Sequence, residues 1–189
     1  MAWVFPERPD HRVVRELKSE DLIEVMSSVD RDGVVSLLPF NSPNVRPLMH
    51  EAKFHRNERA FQLLAEVLKR YLKDADEHTL IIPIPLSDKR RKERGYNQVE
   101  EVVKRAAPHQ LRNDILYRKR DTKPQTSLSR SDRLMNMIDA FGCRLDSNFE
   151  PDSHIILVDD VSTTGATLKS AAEALRPLNV SLTLLSLAR

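Results

Sequence analysis

The stretch from His154 to Thr167 constrains this chain more than any other part of it. It reads HIILVDDVSTTGAT: four apolar residues of strand type, two consecutive aspartates, then small and hydroxylated residues that run into a helical pattern. An apolar run without alternation suits a strand buried on both faces of a parallel sheet. Ligands of open α/β sheets bind at the carboxyl ends of such strands, and this one ends in Asp159 and Asp160. Ser162, Thr163, Thr164, Gly165, Ala166 and Thr167 then let the backbone come close to a ligand. Successive N–H groups at a helix start bind anions, and hydroxyls add donors. Gly165 is expected to leave room for the ligand's oxygens. The carboxylates suit vicinal hydroxyls, so the unit describes a polyol and a phosphate at fixed spacing, as in a ribose 5-phosphate. Taken singly, the hydroxyls are ordinary helix caps and the aspartates an ordinary strand end. Two adjacent acids closing an apolar strand gain little structurally, so the combination reads as a site.

The remainder supplies the layers around that unit. Leu22, Val25, Met26 and Val29 fall at helical spacing behind Ser19-Glu20-Asp21, and Asp30 to Gly33 is expected to end that helix. Val34–Leu38 reads as a strand. Two helices follow Ser42-Pro43, the second with Phe61, Leu64, Val67, Leu68, Tyr71 and Leu72 on one face. Thr79–Pro85 is a second buried strand, followed by a basic loop and a helix with Val99, Val102, Val103 and Ala106 inward. Ile115-Leu116-Tyr117 is strand-like, and a helix is expected from about Ser129 with Leu134, Met137, Ile138 and Phe141 on one face. Leu168 to Leu178 is helical and Ser181 to Leu187 a last strand. Strands alternating with helices give an α/β domain with a mainly parallel sheet. The boundaries are a helical extension over residues 1–33 and a domain over 34–189.

Composition bounds the partners. The net charge of +2 hides a band from Ser87 to Arg133 that holds 14 of the 30 basic and 7 of the 28 acidic residues, +7 locally against −5 elsewhere. Such a band suits an anionic ligand, whether phosphate, pyrophosphate or nucleic acid. No apolar run approaches the roughly 20 residues of a membrane span, and the N-terminal residues lack the pattern of a secretory signal. One cysteine, Cys143, excludes an internal disulfide or a multi-cysteine zinc site and reads as a small core residue. A cytoplasmic protein without membrane contact is expected. His154 reads as structural or exposed, and Lys53 as a cation near a helix C-terminus in preference to a substrate-side contact.

The segment 154–167 closely resembles the ribose-phosphate loop of type I phosphoribosyltransferases, which bind phosphoribosyl pyrophosphate. Upstream, Ile82-Pro-Ile-Pro-Leu-Ser-Asp-Lys-Arg-Arg-Lys-Glu-Arg-Gly-Tyr-Asn-Gln98 resembles the strand, pyrophosphate loop and helix of the ComF family. Arg118 to Gln125 with Leu128-Ser129-Arg130 is similar to its mobile loop, and Pro47-Leu-Met-His-Glu-Ala-Lys-Phe54 to its helix ending in Lys-Phe. The resemblance spans residues 34–189. It implies that Asp159, Asp160 and residues 162–167 hold the ribose phosphate and that Arg94, Gly95 and Asn97 meet the pyrophosphate. Arg118, Arg120, Thr122 and Gln125 would sit in the closing loop. Arg91 and Lys92 are left to solvent. Mg²⁺ would be held mainly by the ligand rather than by protein side chains. Relatives commonly begin with a four-cysteine zinc module; residues 1–33 hold no cysteine and only His11, so no zinc is expected.

Two functions follow from the resemblance. One is transfer of phosphoribosyl to an acceptor. The other is a non-catalytic accessory role in DNA uptake, with single-stranded DNA and a helicase as partners. Only Tyr96 and Tyr117 are aromatic within the basic band, so stacking platforms for bases are scarce there. Acceptor choice is expected to lie in a hood formed by residues 1–33 and 40–56. Apolar surface on the N-terminal helix makes a homodimer reasonable.

Overall fold

The computed structural model of the 189-residue chain describes residues 7–119, 140–144 and 153–189. Two short helices, α1 (Pro9–Glu16) and α2 (Ser19–Val25), lead into a hairpin of β1 (Val29–Arg31) and β2 (Val34–Leu38). Helices α3 (Val45–Phe54) and α4 (Glu58–Leu72) precede β3 (Leu80–Pro83), which is followed by α5 (Asp88–Arg94) and α6 (Gln98–Ala106). The remaining elements are β4 (Leu116–Arg118), β5 (Phe141–Cys143), β6 (His154–Val161), α7 (Ala166–Leu175) and β7 (Ser181–Ala188).

Five strands form one sheet in the order β1-β2-β7-β6-β3, parallel throughout except for β1; β4 and β5 make a separate antiparallel pair. β6 lies inside the sheet between β7 and β3, and its unbroken apolar run is explained by what covers each face. Ile156 and Val158 join the core beneath α3, α4 and α6, whereas Ile155 and Leu157 join the core beneath α7. β3 divides in the same way, Ile81 to the first core and Ile82 to the second. Burying an aliphatic side chain of this size contributes about 1.5–3 kcal/mol, so both layers clamp the strand that carries the acids. Val14, Leu17 and Leu22 of the N-terminal segment belong to the first core. No helix among the described residues is long and apolar enough to cross a membrane.

Four expectations are corrected. Val29 lies in β1 rather than on the α2 face, because Asp32 and Gly33 take φ of +59° and +76° and close a two-residue hairpin turn, with Gly33 N donating to Asp30 Oδ1 at 2.9 Å. The basic loop after β3 is the helix α5. Ser87 caps its first turn, Asp88 sits at its positive end, and Gly95 (φ +79°) ends it. Phe141 lies in β5, not on a helix face, and the rest of the helix expected from Ser129 falls outside the described residues. The last helix stops at Leu175 and tightens into a 3₁₀ turn over Arg176–Leu178. Cys143 is half-buried in β5, its thiol pushed up by burial, and His154 is tied to Thr183 Oγ1 at 2.9 Å.

Candidate functional site

β6 runs three residues beyond its apolar stretch, so Asp159 and Asp160 are still in strand geometry and alternate like their predecessors. Asp160 follows Ile156 and Val158 towards α3 and α6. There Lys53 Nζ donates to its Oδ2 at 2.9 Å, and Gln98 Nε2 donates to the same oxygen at 2.5 Å. Val161 N donates to Oδ1 at 2.7 Å. Arg94 extends the network by donating to Gln98 Oε1. Asp159 goes with Ile155 and Leu157; Arg118 and Lys53 both act on it through charge, and its Oδ1 accepts from Asp160 N at 2.9 Å.

These surroundings split the pair. Burial penalises charge on both aspartates. For Asp160 burial is again the largest single influence, but the charge and hydrogen bond of Lys53, with the hydrogen bonds from Val161 N and Gln98, together outweigh it and hold the carboxyl below the usual range. For Asp159 burial comes first and the neighbouring Asp160 charge second, and together they push it up to about 7. The strand end therefore holds one firm carboxylate and one group that titrates near neutrality.

After Val161, Ser162 N donates to Ala188 O at 3.0 Å, which prolongs the β6–β7 ladder by one residue. The chain then turns through Gly165 into α7, whose N-terminus has no side-chain cap; Thr164 Oγ1 reaches only Ala166 N, at 3.4 Å. The cap position itself is thus held by a glycine, which has no side chain to offer the helix. Ser162 Oγ is buried with no hydrogen-bond partner among the described residues, a cost of about 1–3 kcal/mol unless something else satisfies it. Thr163 is exposed and Thr167 half-buried. Gly165 has a reason other than space for a ligand: its φ is +73°, and an added Cβ would lie 2.8 Å from Val34 Cγ2.

The residues read for the pyrophosphate separate in role. Arg94 is half-buried, with its guanidinium carbon 5.6 Å from the Phe54 ring centroid. Gly95 is exposed, and an added Cβ would meet nothing within 4 Å, so only its positive φ is needed there. Asn97 spends both ends of its amide inside the fold: Oδ1 caps α6 through Val99 N at 3.0 Å, and Nδ2 donates to Ile84 O at 2.9 Å. It ties α6 to the end of β3. Arg91 and Lys92 are exposed. Arg118 is half-buried in β4 and stacks over Phe141 at 5.1 Å; Arg120, Thr122 and Gln125 lie outside the described residues.

Two participants were under-read in the sequence: Lys53, where a helix-end cation was preferred to a substrate-side contact, and Gln98, which was not singled out. Lys53 reads locally as a helix-end cation, yet its Nζ lies 2.9 Å from Asp160 Oδ2. Its position in the Lys-Phe ending of α3 was the available signal, and Gln98 had none beyond closing the motif that starts at Ile82. α3 is itself anchored by the fully buried Glu51, which accepts from Arg8 Nε and Nη2 at 3.1 Å each and from Asn57 Nδ2 at 2.9 Å.

Beside the Lys53 end of this network, a cavity of about 660 Å³ opens between the loop over residues 40–43 and α3, with Asp10 of α1 and Val161 of β6 on its wall. Among the described residues no cluster of three or more acidic, histidine or cysteine side chains is placed to hold a metal. Mg²⁺ typically takes one or two carboxylates together with substrate phosphates and water. Asp159 and Asp160 are a donor set of that kind.

The chain is 35% identical over 142 residues to competence protein F of Haemophilus influenzae, a match covering 70% of this chain and 62% of that protein. It is 35% identical over 105 residues to competence protein ComFC of Bacillus subtilis, covering 53% of this chain and 39% of that one. It is 30% identical over 143 residues to the DNA utilization protein YhgH of Escherichia coli, covering 71% and 62%. The chain thus spans less than two thirds of the length of these relatives. A phosphoribosyl transferase domain matches from residue 53 to residue 186, from the lysine on Asp160 to the strand beside β6. Because that match takes in the diacid strand, its loop and α7, the chain belongs to the phosphoribosyl transferase family, as a ComF-like member.

Proposed function

We propose that this chain binds phosphoribosyl pyrophosphate with Mg²⁺ and transfers the phosphoribosyl group to an acceptor. The observation that carries the reading is the junction of Asp159 and Asp160 with a glycine-capped helix start, beside which Ser162 Oγ is buried with no hydrogen-bond partner among the described residues. Asp160, held ionised by Lys53, accepts hydrogen bonds from the ribose hydroxyls, and Asp159 beside it either accepts or donates according to pH. The loop over 162–167 takes the 5-phosphate on its backbone N–H groups and hydroxyls, Ser162 Oγ among them. Arg94 and Arg118 place cations where negative charge collects on the leaving pyrophosphate, joined by Arg120, Thr122 and Gln125 as the family resemblance implies. Bound Mg²⁺ supplies charge neutralisation on the pyrophosphate. In the transfer the bond from ribose C1 to the pyrophosphate oxygen breaks with its electron pair on that oxygen, and a lone pair of the acceptor forms the new bond to C1.

Calorimetric titration with phosphoribosyl pyrophosphate and Mg²⁺, beside the D159N/D160N double variant, tests this. Saturable binding by the parent and none by a folded double variant is expected. A folded parent that does not bind removes the transferase reading.

A second reading has its own observation. α5 has no buried residue, and Lys89, Arg91 and Lys92 are exposed along it, while relatives carry the names of competence and DNA utilization proteins. We infer for this reading that the basic helix contacts single-stranded DNA. Affinity should then fall with salt at a slope of about −0.7 per phosphate contacted. R90A/R91A/K92A should lower DNA affinity and leave the binding of phosphoribosyl pyrophosphate intact; equal loss of both would assign these residues to one anion site.

A further inference from the structure

We propose that the cavity beside Lys53 is a site for a planar heteroaromatic carboxylic acid, which serves as the acceptor. The assignment as acceptor rests on the phosphoribosyl reading above; the assignment as a binding site does not. A volume of about 660 Å³ is in the range of small-molecule sites, about 300–1,000 Å³.

The walls favour a flat ring. Phe40, Met49 and Phe54 supply apolar surface. Phe54 is 59% exposed at the end of α3, with the His50 ring 4.9 Å away and the Arg94 guanidinium on it. An aromatic held between a second ring and a cation, with surface still open, is a ready stacking partner.

The charges favour an acid. Of the ionisable groups on the wall, Asp10 is taken by His50 Nδ1 at 2.8 Å and Lys53 by Asp160 at 2.9 Å. Arg46 makes no side-chain hydrogen bond or ion pair among the described residues, so its fork of donors remains available. A guanidinium fork matches a carboxylate in two parallel hydrogen bonds. Arg46, His50 and Lys53 are spaced at i, i+4 and i+7 on α3 and therefore share one face, over about 10 Å of helix axis. A carboxylate on Arg46 thus points the far edge of its ring towards Lys53 and the ribose site. There a ring nitrogen's lone pair forms the bond to ribose C1 as the C1–pyrophosphate bond breaks. Any proton on that nitrogen leaves to the pyrophosphate or to water.

The test titrates the full chain with pyridine-3-carboxylate and imidazole-4-carboxylate, each against its own carboxamide, with and without phosphoribosyl pyrophosphate and Mg²⁺. At least one acid should bind saturably and at least tenfold more tightly than its amide. R46Q, at an exposed position, should abolish that preference without moving Tm, and F54A should weaken acid and amide alike. Equal affinity for acid and amide, no binding of either acid, or a preference that survives R46Q overturns the proposal. An Arg46-dependent preference in a chain that does not bind phosphoribosyl pyrophosphate would keep the site and remove only its role as acceptor. Binding of phosphoribosyl pyrophosphate without either acid would overturn this proposal and leave the phosphoribosyl reading standing.

Discussion

Replacing Lys53 by methionine keeps the alkyl stem of the side chain and removes the ammonium 2.9 Å from Asp160 Oδ2. The Asp160 side chain is 11% exposed and that of Lys53 32%, so the pair lies between the buried and surface regimes. Removing one partner of a fully buried pair costs about 3–5 kcal/mol, whereas an exposed pair contributes about 0–1. Gln98 and Val161 N still serve the carboxylate, which points to a cost of about 2 kcal/mol at pH 7.5. For a chain of this length that lowers Tm by roughly 4–8 °C. The sign with pH follows from the depressed pKa of Asp160. A carboxyl held below its unfolded value contributes stability above the ordinary carboxylate range and loses it as pH falls. The gap in Tm between parent and K53M should therefore be full above the ordinary carboxylate value of 3.8 and close only as pH falls below it, where a protonated Asp160 needs no cation. Thermal melts at half-unit pH steps, with D160N and K53M/D160N completing a double-mutant cycle, measure this. A gap that does not change with pH, or a cycle in which the two substitutions simply add, would refute the reasoning.

Asp159 has the opposite sign, because a carboxyl raised to about 7 costs the folded state as pH climbs from about 4 to 7. D159N should flatten that part of the stability profile and be more stable than the parent at pH 8; a profile parallel to the parent's would contradict it. G165A should lose roughly 1–3 kcal/mol from its positive φ and the contact with Val34. The loss should shrink in a V34A background if the contact matters, as chemical denaturation of the four proteins would show. Ser36 Oγ and Ser186 Oγ are 2.8 Å apart and buried between β2 and β7, so S36A should cost about 1–3 kcal/mol by stranding Ser186. S36A/S186A should cost less than the two single changes together, read by the same method.

Much of the architecture was legible because its determinants are local. Ile155 to Val158 could only be a strand covered on both faces, and the spacing of Phe61, Leu64, Val67, Leu68 and Leu72 could only be a helix on a core. Where local signals competed, the reading slipped. Asp32-Gly33 is a hairpin turn signal, but Val29 happened to continue the helical spacing of Leu22. The charged run 88–94 looked like a loop because none of its residues is buried, although its capping serine and its glycine were both present. β5 pairs with a strand more than twenty residues before it, and pairing at that distance leaves little trace in three residues.

The sequence by itself determined the strand that ends in two acids, the loop and the helix behind it, since contiguous residues carry that whole unit. Only the tertiary structure decided what the acids are. Adjacent in the chain and identical in type, Asp159 and Asp160 are sent by strand alternation into different surroundings. Asp160 meets Lys53 from α3 and Gln98 from α6 and stays charged. Asp159 has no such partner at hydrogen-bonding distance among the described residues, and burial beside an existing charge raises it. The stacking of Arg94 on Phe54 and the cavity under α3 have the same origin, in groups brought together by folding rather than by order along the chain.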